Sequence, residues 1–479
     1  MKLFILLVFL ATSLAKNVSL NVPLTSNSTI RPIDGVWQSF SIEYSYMADY
    51  FGNKSQPNTF SNNILQSLKD RSGKNVILRV GGSTANRVAY NASQEEAVIN
   101  VFGSNPDQPS HVYIGPVWYE AFQTAPEGTL VIYDVNYRDN TSAGVNATIE
   151  DARRVWDQLD NLYAFELGNE VEGWGKNGRT SDWSPELYVP DFLKYTSLLD
   201  FVDKPFFQGG VLQGSGGAYI NEPWNSVRLL ELELNRDGDI KAMSQHDYHG
   251  NNCDTTDEIP EVRQNLLNHT NVINRVWPHK QMSSVVAAQN VEYVLGETNS
   301  ISCQGRDNVS NVFASALWYL DYNLYVAAHT EVAKMYFHQG TPYRYSIWAP
   351  DEARPIYYGA LLLAKALDGE KQVLSVAEEE TFVAYSLYSK NELDSVIVVN
   401  LEPYNATGNA TTGRRFVDVQ LPAAAKKLWR LTAPGADVKT GIRWAGQAVQ
   451  EDGTIGEEIT EEVGQVVRVQ DSEAVLVKW

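Results

Sequence analysis

The stretch Phe165-Glu166-Leu167-Gly168-Asn169-Glu170 decides the fold. Leu162, Tyr163 and Ala164 lead into it, and Gly173-Trp174-Gly175 follows it. A short apolar run cut off by Gly and two polar residues reads as a buried strand that stops at a loop. A carboxylate at the mouth of such a strand is poorly solvated and held in place, as an acid or base catalyst must be. For a single Asn-Glu pair the competing reading is an ordinary solvated loop carboxylate.

The same grammar returns in Val291-Glu292-Tyr293-Val294-Leu295-Gly296-Glu297-Thr298-Asn299-Ser300. Two glutamates at the ends of buried strands are the pair that glycoside hydrolysis uses, one to protonate the leaving oxygen and one to attack the anomeric carbon. Around them, eight apolar stretches alternate with helical ones: Val36–Glu43, Asn75–Gly81, Thr129–Val135, Tyr163–Gly168, Phe206–Gly209, Ala242–His246, Val291–Gly296 and Lys334–Phe337. Alternation of this kind makes a parallel sheet, and eight units close into an α/β (β/α)8 TIM barrel. Helices are expected at Phe60–Asp70, capped by Ser61, and from Thr148 to Leu159, opening on a Thr148-x-x-Asp151 box.

From Lys371 the texture changes to short strands separated by Gly, Asn and Pro, which reads as a C-terminal antiparallel β-sandwich domain. The expected organisation is therefore a signal peptide at 1–15 and an N-terminal strand within 16–30 that pairs with the sandwich. The (β/α)8 barrel follows over 31–369 and the β-sandwich over 370–479.

Leu-Gly-Asn-Glu170 and Leu-Gly-Glu297-Thr-Asn resemble the acid/base and nucleophile motifs of the large clan of retaining glycosidases. Ser39-Phe40-Ser41-Ile42-Glu43-Tyr44, Leu78-Arg79-Val80-Gly81-Gly82-Ser83 and Ser244-Gln245-His246-Asp247-Tyr248 sharpen the likeness. They resemble glycoside hydrolase family 79, the β-glucuronidase and heparanase-like family. The resemblance runs from about Gly35 to the C-terminus.

It implies that Glu170, after the fourth strand, is the acid/base and Glu297, after the seventh, is the nucleophile. Arg79 and Tyr248 would support the nucleophile, and Asn169 would hold the sugar 2-hydroxyl. Glu43, Gly82 and Ser83 fall where distal hydroxyls would bind, and His246 and Tyr248 fall at the sixth strand end. Gly340 and Tyr343, in the loop after the eighth strand, are the candidates for a sugar carboxylate. His246 and His249 lie three apart across a strand end, so they face opposite ways and no third ligand accompanies them. No metal and no cofactor is expected.

The whole chain narrows the function further. Its 479 residues are 43% hydrophobic, enough for a large core, and carry a net charge of −20. Such a surface repels nucleic acid and sulfated polyanions wherever no local basic cleft exists, and no run of Lys and Arg appears. Lys2, the apolar run Leu3–Leu10 and Ser13-Leu14-Ala15 read as a cleaved leader, too short to span a membrane. Sequons at Asn17, Asn27, Asn53, Asn91, Asn140, Asn146, Asn268, Asn308, Asn405 and Asn409 agree with export. Cys253 and Cys303 follow strands that would be neighbours, so a disulfide is expected, with two buried thiols as the alternative.

The reading that results is a secreted, retaining, exo-acting β-glucuronidase, a monomer without nucleic-acid or membrane partners. It acts on terminal β-linked glucuronic acid of a carbohydrate chain, 4-O-methylated or not. An endo-acting heparanase-like enzyme and a non-catalytic carbohydrate-binding barrel are the alternatives.

Overall fold

The computed structural model describes residues 16–26, 29, 31–176, 178–213, 222–253, 259–408 and 413–479. The expected leader and the sequons at Asn27 and Asn409 lie outside them. Eight parallel strands close a barrel in chain order: Gln38–Glu43, Ile77–Gly81, Leu130–Val135, Leu162–Leu167, Phe207–Leu212, Ile240–Tyr248, Glu292–Asn299 and Val332–Gln339. The eighth seals onto the first, Met335 opposite Gln38 and Gln339 opposite Ile42.

Period-two alternation along these strands builds the barrel interior in layers. Ile77, Ile132, Ala164, Ala242 and Val294 form one small apolar cluster at the bottom. Two residues on, on the same faces, stand Arg79, Asp134, Glu166, Ser244 and Gly296. The layer under the barrel mouth is therefore polar, and its charges must be paired internally.

Local caps differ from expectation in two helices. The second-layer helix Ser142–Gln158 starts six residues earlier than Thr148, because Thr141 Oγ1 accepts from the Gly144 amide at 3.2 Å. Thr148 sits inside the helix and donates to the carbonyls of Asn136 and Gly144. Helix Thr59–Ser72 is capped by Asn58, whose Oδ1 accepts from the Ser61 amide, while Ser61 Oγ accepts from the Trp348 indole.

Between the second and third strands lies a three-stranded sheet, Val88–Tyr90, Val98–Phe102 and Pro109–Ile114, that the sequence reading passed over. Its apolar residues fall on both sides of the sheet: Val112 and Ile114 are buried, whereas Ile99, Val101, Phe102 and Tyr113 are exposed. The alternation signal is therefore weak.

After the barrel, a six-stranded sheet and a three-stranded sheet form the sandwich. Lys16–Ser19 joins the smaller sheet, parallel to Phe416–Gln420. The larger sheet is buried on both faces, and its strands show it by alternation. Val396, Val398, Val475 and Val477 face the smaller sheet. Val383, Tyr385, Ile397, Val399 and Leu476 instead join the barrel's own core. The sandwich thus shares a hydrophobic core with the barrel helices Ala314–His329 and Pro355–Ala366, and a polar clasp crosses the same interface. The Tyr385 hydroxyl donates to Asp321 Oδ1 at 2.7 Å, and His269 Nδ1 lies 2.9 Å from the same oxygen.

Burial alone would lower the proton affinity of His269, but the Asp321 carboxylate overrides it and raises it above the ordinary range. A raised folded pKa stabilises the fold fully below the unfolded value of about 6.5, and that contribution is lost as pH rises through the folded value. His269→Gln is therefore expected to lower Tm more at pH 5.5 than at pH 8.5. Scanning calorimetry at both pH values checks it, and an equal loss at both contradicts it.

Candidate active site

The site is organised by Arg79, which is fully buried at the end of the second strand. Its Nε donates to Glu166 Oε1 at 2.8 Å and its Nη1 to Glu297 Oε2 at 3.0 Å and Ser41 Oγ at 3.0 Å. Nη2 donates to Asn169 Oδ1 at 2.7 Å. One guanidinium thus ties the first, second, fourth and seventh strands together at the barrel mouth. Gln208 on the fifth strand donates to the other oxygen of Glu166 at 2.5 Å. Asp134 stands opposite Glu166 in the register, and burial, then the Glu166 charge, push its carboxyl well above the usual range. Its ionised form is thus disfavoured beside Glu166 in this polar layer.

Strict alternation would turn Glu297 away from the interior, since Val294 points in. A bulge reverses this. The pairing shifts between Gln245 and His246 on one side of the seventh strand and between Leu295 and Thr298 on the other. Gly296 permits the shift, for a Cβ there would lie 2.0 Å from Ser244 Oγ. A bulge of this sort re-aims a side chain, here toward Arg79. Tyr248 then donates to Glu297 Oε1 at 2.6 Å, and His246 and His338 stand 3.9 and 3.7 Å away. Burial raises the proton affinity of Glu297, but His338, His246, Arg79 and the Tyr248 hydroxyl together bring it well below the usual carboxylate range. It is held ionised.

Glu170 is placed by a different device. Gly168 has φ +76°, and a Cβ there would strike the Trp174 ring at 2.5 Å. Glu170 itself has φ +48°, a left-handed conformation that costs on the order of 1–3 kcal/mol in a non-glycine residue. Trp174 Nε1 and Asn86 Nδ2 both donate to the Asn169 carbonyl, which fixes the strained turn. Glu170 stays about a quarter exposed, with His246 Nδ1 at 3.3 Å. A carboxylate oxygen of Glu170 and one of Glu297 lie within 4.8 Å of each other, with His246 beside both. Three such atoms can also hold a cation, but Arg79 already supplies a fixed positive charge to Glu297.

The cavity over the pair measures about 130 Å³ and is lined by Glu43, Ser83, Gln108, Glu170, Tyr248, Glu297, His338 and Tyr345, among others. Cys253 and Cys303 are joined in a disulfide at its rim, with Cα atoms 5.2 Å apart. Two carboxyl groups at this separation, one ionised and one partly open to solvent, are the equipment of a double-displacement glycosidase. Residues 147–323 match the glycosyl hydrolase family 79 N-terminal domain, and residues 384–476 match that family's C-terminal beta domain, together more than half of the chain.

The chain belongs to glycoside hydrolase family 79. A β-glucuronidase of Aspergillus niger is 29% identical over 467 residues, covering 90% of this chain and 85% of that protein. One of Neurospora crassa is 27% identical over 491 residues, covering 90% and 87%. Among solved structures, a 4-O-α-L-rhamnosyl-β-D-glucuronidase from Fusarium oxysporum superposes with a TM-score of 0.83 at 22% identity, over 96% of this chain and all of that one. A family 51 arabinofuranosidase from Xanthomonas axonopodis reaches 0.58 at 12% identity, over 97% and 99%. At those identities the two structures speak to the fold.

In this family 79 chain the expected residues fall into three groups. Glu43, Ser83, Glu170, Tyr248 and Glu297 line the cavity. Arg79, Asn169 and His246 lie buried beneath it. Gly82 acts through its backbone: at φ +100°, a Cβ would sit 2.6 Å from Glu43 Oε1. Glu43 is already well served, accepting from the Thr84 amide and hydroxyl at 2.9 and 2.6 Å and from Tyr343 at 2.9 Å. Tyr343 therefore braces Glu43 rather than facing the cavity.

Gly340 is a correction. Its amide donates to Ser346 Oγ at 3.3 Å, and its Cα packs against Tyr343 and Tyr46, so it is not a free donor for a sugar. His249 faces away from His246, accepting from the Trp318 indole at 3.0 Å.

Sequence reading missed His338, Gln108, Tyr345 and Glu172. His338 was within reach, one residue beyond the predicted eighth strand and at the same strand-end position as the other site residues. Tyr345 lay inside the loop already singled out after that strand. Glu172 follows Glu170 by two. Burial and then the Glu170 charge push it up to about 8, and one of its oxygens accepts from the Gln213 amide.

Removing the Tyr248 hydroxyl removes a hydrogen bond that favours ionised Glu297. Tyr248→Phe should therefore move the acid limb of the kcat/KM pH profile upward by about one pH unit, roughly 1.4 kcal/mol. A profile measured on a chromogenic glycoside that the enzyme turns over checks this, and an unmoved acid limb contradicts it.

Proposed function

We propose that this chain is a secreted, retaining exo-β-glucuronidase. The observation that carries the retaining mechanism is the pair itself. Its oxygens lie within 4.8 Å, close to the separation of about 5–5.5 Å between carboxyl groups that leaves no room for a water between attacker and anomeric carbon. The glucuronide is supported by the names of the two fungal relatives, which span nearly the whole chain.

In the first step an ionised Glu297 oxygen bonds to the anomeric carbon while the glycosidic C–O bond breaks. Glu170 gives its proton to the departing oxygen. With Glu297 esterified, its charge no longer faces Glu170, which then takes a proton from water as that water attacks the same carbon and frees Glu297. Arg79 occupies Asn169 Oδ1, so the Asn169 amide N–H group is the part left to meet the sugar 2-hydroxyl. Tyr345, which lines the cavity where Tyr343 and Gly340 do not, is the donor we assign to the sugar carboxylate.

Exo action is supported by the small cavity and by the wall that Glu43 and Gln108 make together, with Tyr343 bracing Glu43 from behind. Secretion is supported by the apolar N-terminal run and by the sequons. Asn17, Asn91, Asn140, Asn146, Asn308 and Asn405 are all exposed, so a glycan would meet no obstacle there.

Proton NMR of 4-nitrophenyl β-D-glucuronide hydrolysis should show the β-anomer of glucuronic acid first. An initial α-anomer would mean direct displacement by water and would end the nucleophile assignment. Glu297→Gln should lower kcat by on the order of a thousandfold or more with Tm retained; a loss under tenfold contradicts the role.

A further inference from the structure

In a chain of net charge −20, two arginines facing one cavity without a carboxylate need a reason. Arg87 and Arg138 do so, lining a cavity of about 260 Å³ with Ser110 and His111. Arg87 ends the turn Ala85–Arg87 after the second barrel strand, and Arg138 follows the third. His111 lies on the inserted strand Pro109–Ile114. No linear motif announces the cluster, because the fold assembles it from three separate segments.

Both arginines are held in place. Arg87 Nη1 donates to the Pro109 carbonyl at 3.1 Å. The Arg138 stem packs on Gly178, where a Cβ would come within 3.1 Å of its Cγ. Among the described residues neither guanidinium forms an ion pair. Burial, and after it the neighbouring charge of Arg87, lower the proton affinity of Arg138.

The cavity flanks the catalytic one. Gln108 lines the catalytic cavity and Ser110 this one, two residues further along the same segment. On the other side Ser83 lines the catalytic cavity and Arg87, four residues on, lines this one. Between them, Asn86 reaches the carbonyl of Asn169, next to Glu170.

We propose that Arg87 and Arg138, with His111 at the rim, form a subsite for an anionic group on the glycan that carries the terminal glucuronic acid. The proposal rests on the glucuronidase reading. Carboxylate and sulfate share the chemistry, since both accept paired N–H donors from a guanidinium fork. A fixed cationic pair would select acidic chains that the rest of this surface repels.

Four β-glucuronides test it, with 4-nitrophenol, galactose, galactose 6-sulfate and galacturonic acid as aglycones, on the wild type and on Arg87→Gln/Arg138→Gln. The double variant should lose roughly tenfold in kcat/KM on an acidic aglycone and stay within about twofold on the two neutral ones. Added salt should erode the wild-type advantage. Loss confined to the sulfated substrate names sulfate, and loss confined to the galacturonide names carboxylate. Equal loss on all four, or a wild type indifferent to aglycone charge, overturns the subsite. If the wild type hydrolyses no glucuronide, the glucuronidase reading falls instead. Calorimetric titration with inorganic sulfate at fixed ionic strength then decides the site alone. Saturable binding absent from the double variant sustains it, and no binding by the wild type overturns it.

Discussion

Everything at the barrel mouth depends on a guanidinium buried between two carboxylates. Arg79 has lost all its water, which would cost several kcal/mol if it were not offset by partners in fixed positions. Glu166 supplies one negative charge from the fourth strand and Glu297 another from the seventh. The same group also bonds Ser41 on the first strand and Asn169 after the fourth. Its position is enforced from above by Gly81, where a Cβ would meet its Cζ at 2.6 Å. The arrangement is a stability liability if any one partner is lost, because the others are then left as unpaired buried charges. It also sets the reactive carboxylates in relation to one another before any substrate arrives.

The backbone bends to serve this network in three places. At Gly296 the seventh strand bulges so that Glu297, which alternation would send outward, turns in. At Gly168 and Glu170 two left-handed residues turn the fourth strand sharply over the opening, with the Trp174 ring packed into the space a side chain would need. At Gly82 the chain after the second strand passes so close to Glu43 that only glycine fits. Each irregularity stands close to a charged group, in sequence or in space, where the strain is set against a gain in position.

Those irregularities also explain what the sequence made legible. The strand-ends Gly168-Asn169-Glu170 and Gly296-Glu297 stood out because glycine followed by a carboxylate after an apolar run is rare without a purpose. The eight barrel strands were legible because they are buried on both faces and read as continuous apolar runs. The sandwich strands were legible as short stretches separated by Gly, Asn and Pro. The inserted sheet was not, since it carries apolar side chains on its exposed side as well as its buried one, and with it went Gln108 and the basic cavity. Glu166 was on the page from the start, but nothing in its neighbours reveals a partner 87 residues away. The cap at Thr141 was not legible because the Thr148-x-x-Asp151 box offers a fuller start signal than the bare threonine that the chain uses. Gly340 was misjudged because a free backbone amide can be seen only once Ser346 has been placed.

One apparent contradiction remains, that a cavity with three glutamates should receive a sugar acid. It dissolves when each carboxylate is paired with its donors. Glu43 accepts from Thr84 twice and from Tyr343, and His338 Nε2 lies 3.3 Å from it. Burial works against its ionisation, yet His338 and Thr84 bring its pKa below the ordinary value. Glu297 is matched by Arg79 and Tyr248. Glu170 has His246 at 3.3 Å and stays partly open to water. The field inside the cavity is therefore far weaker than three bare charges would make it, since fixed donors screen two of them on the side away from the ligand. Tyr345 and Glu170 both line that cavity, and Glu170 is the more exposed of the two. That is the group the proposed mechanism uses to pass a proton to the leaving oxygen and later to take one from water, and its partial exposure leaves it open to both.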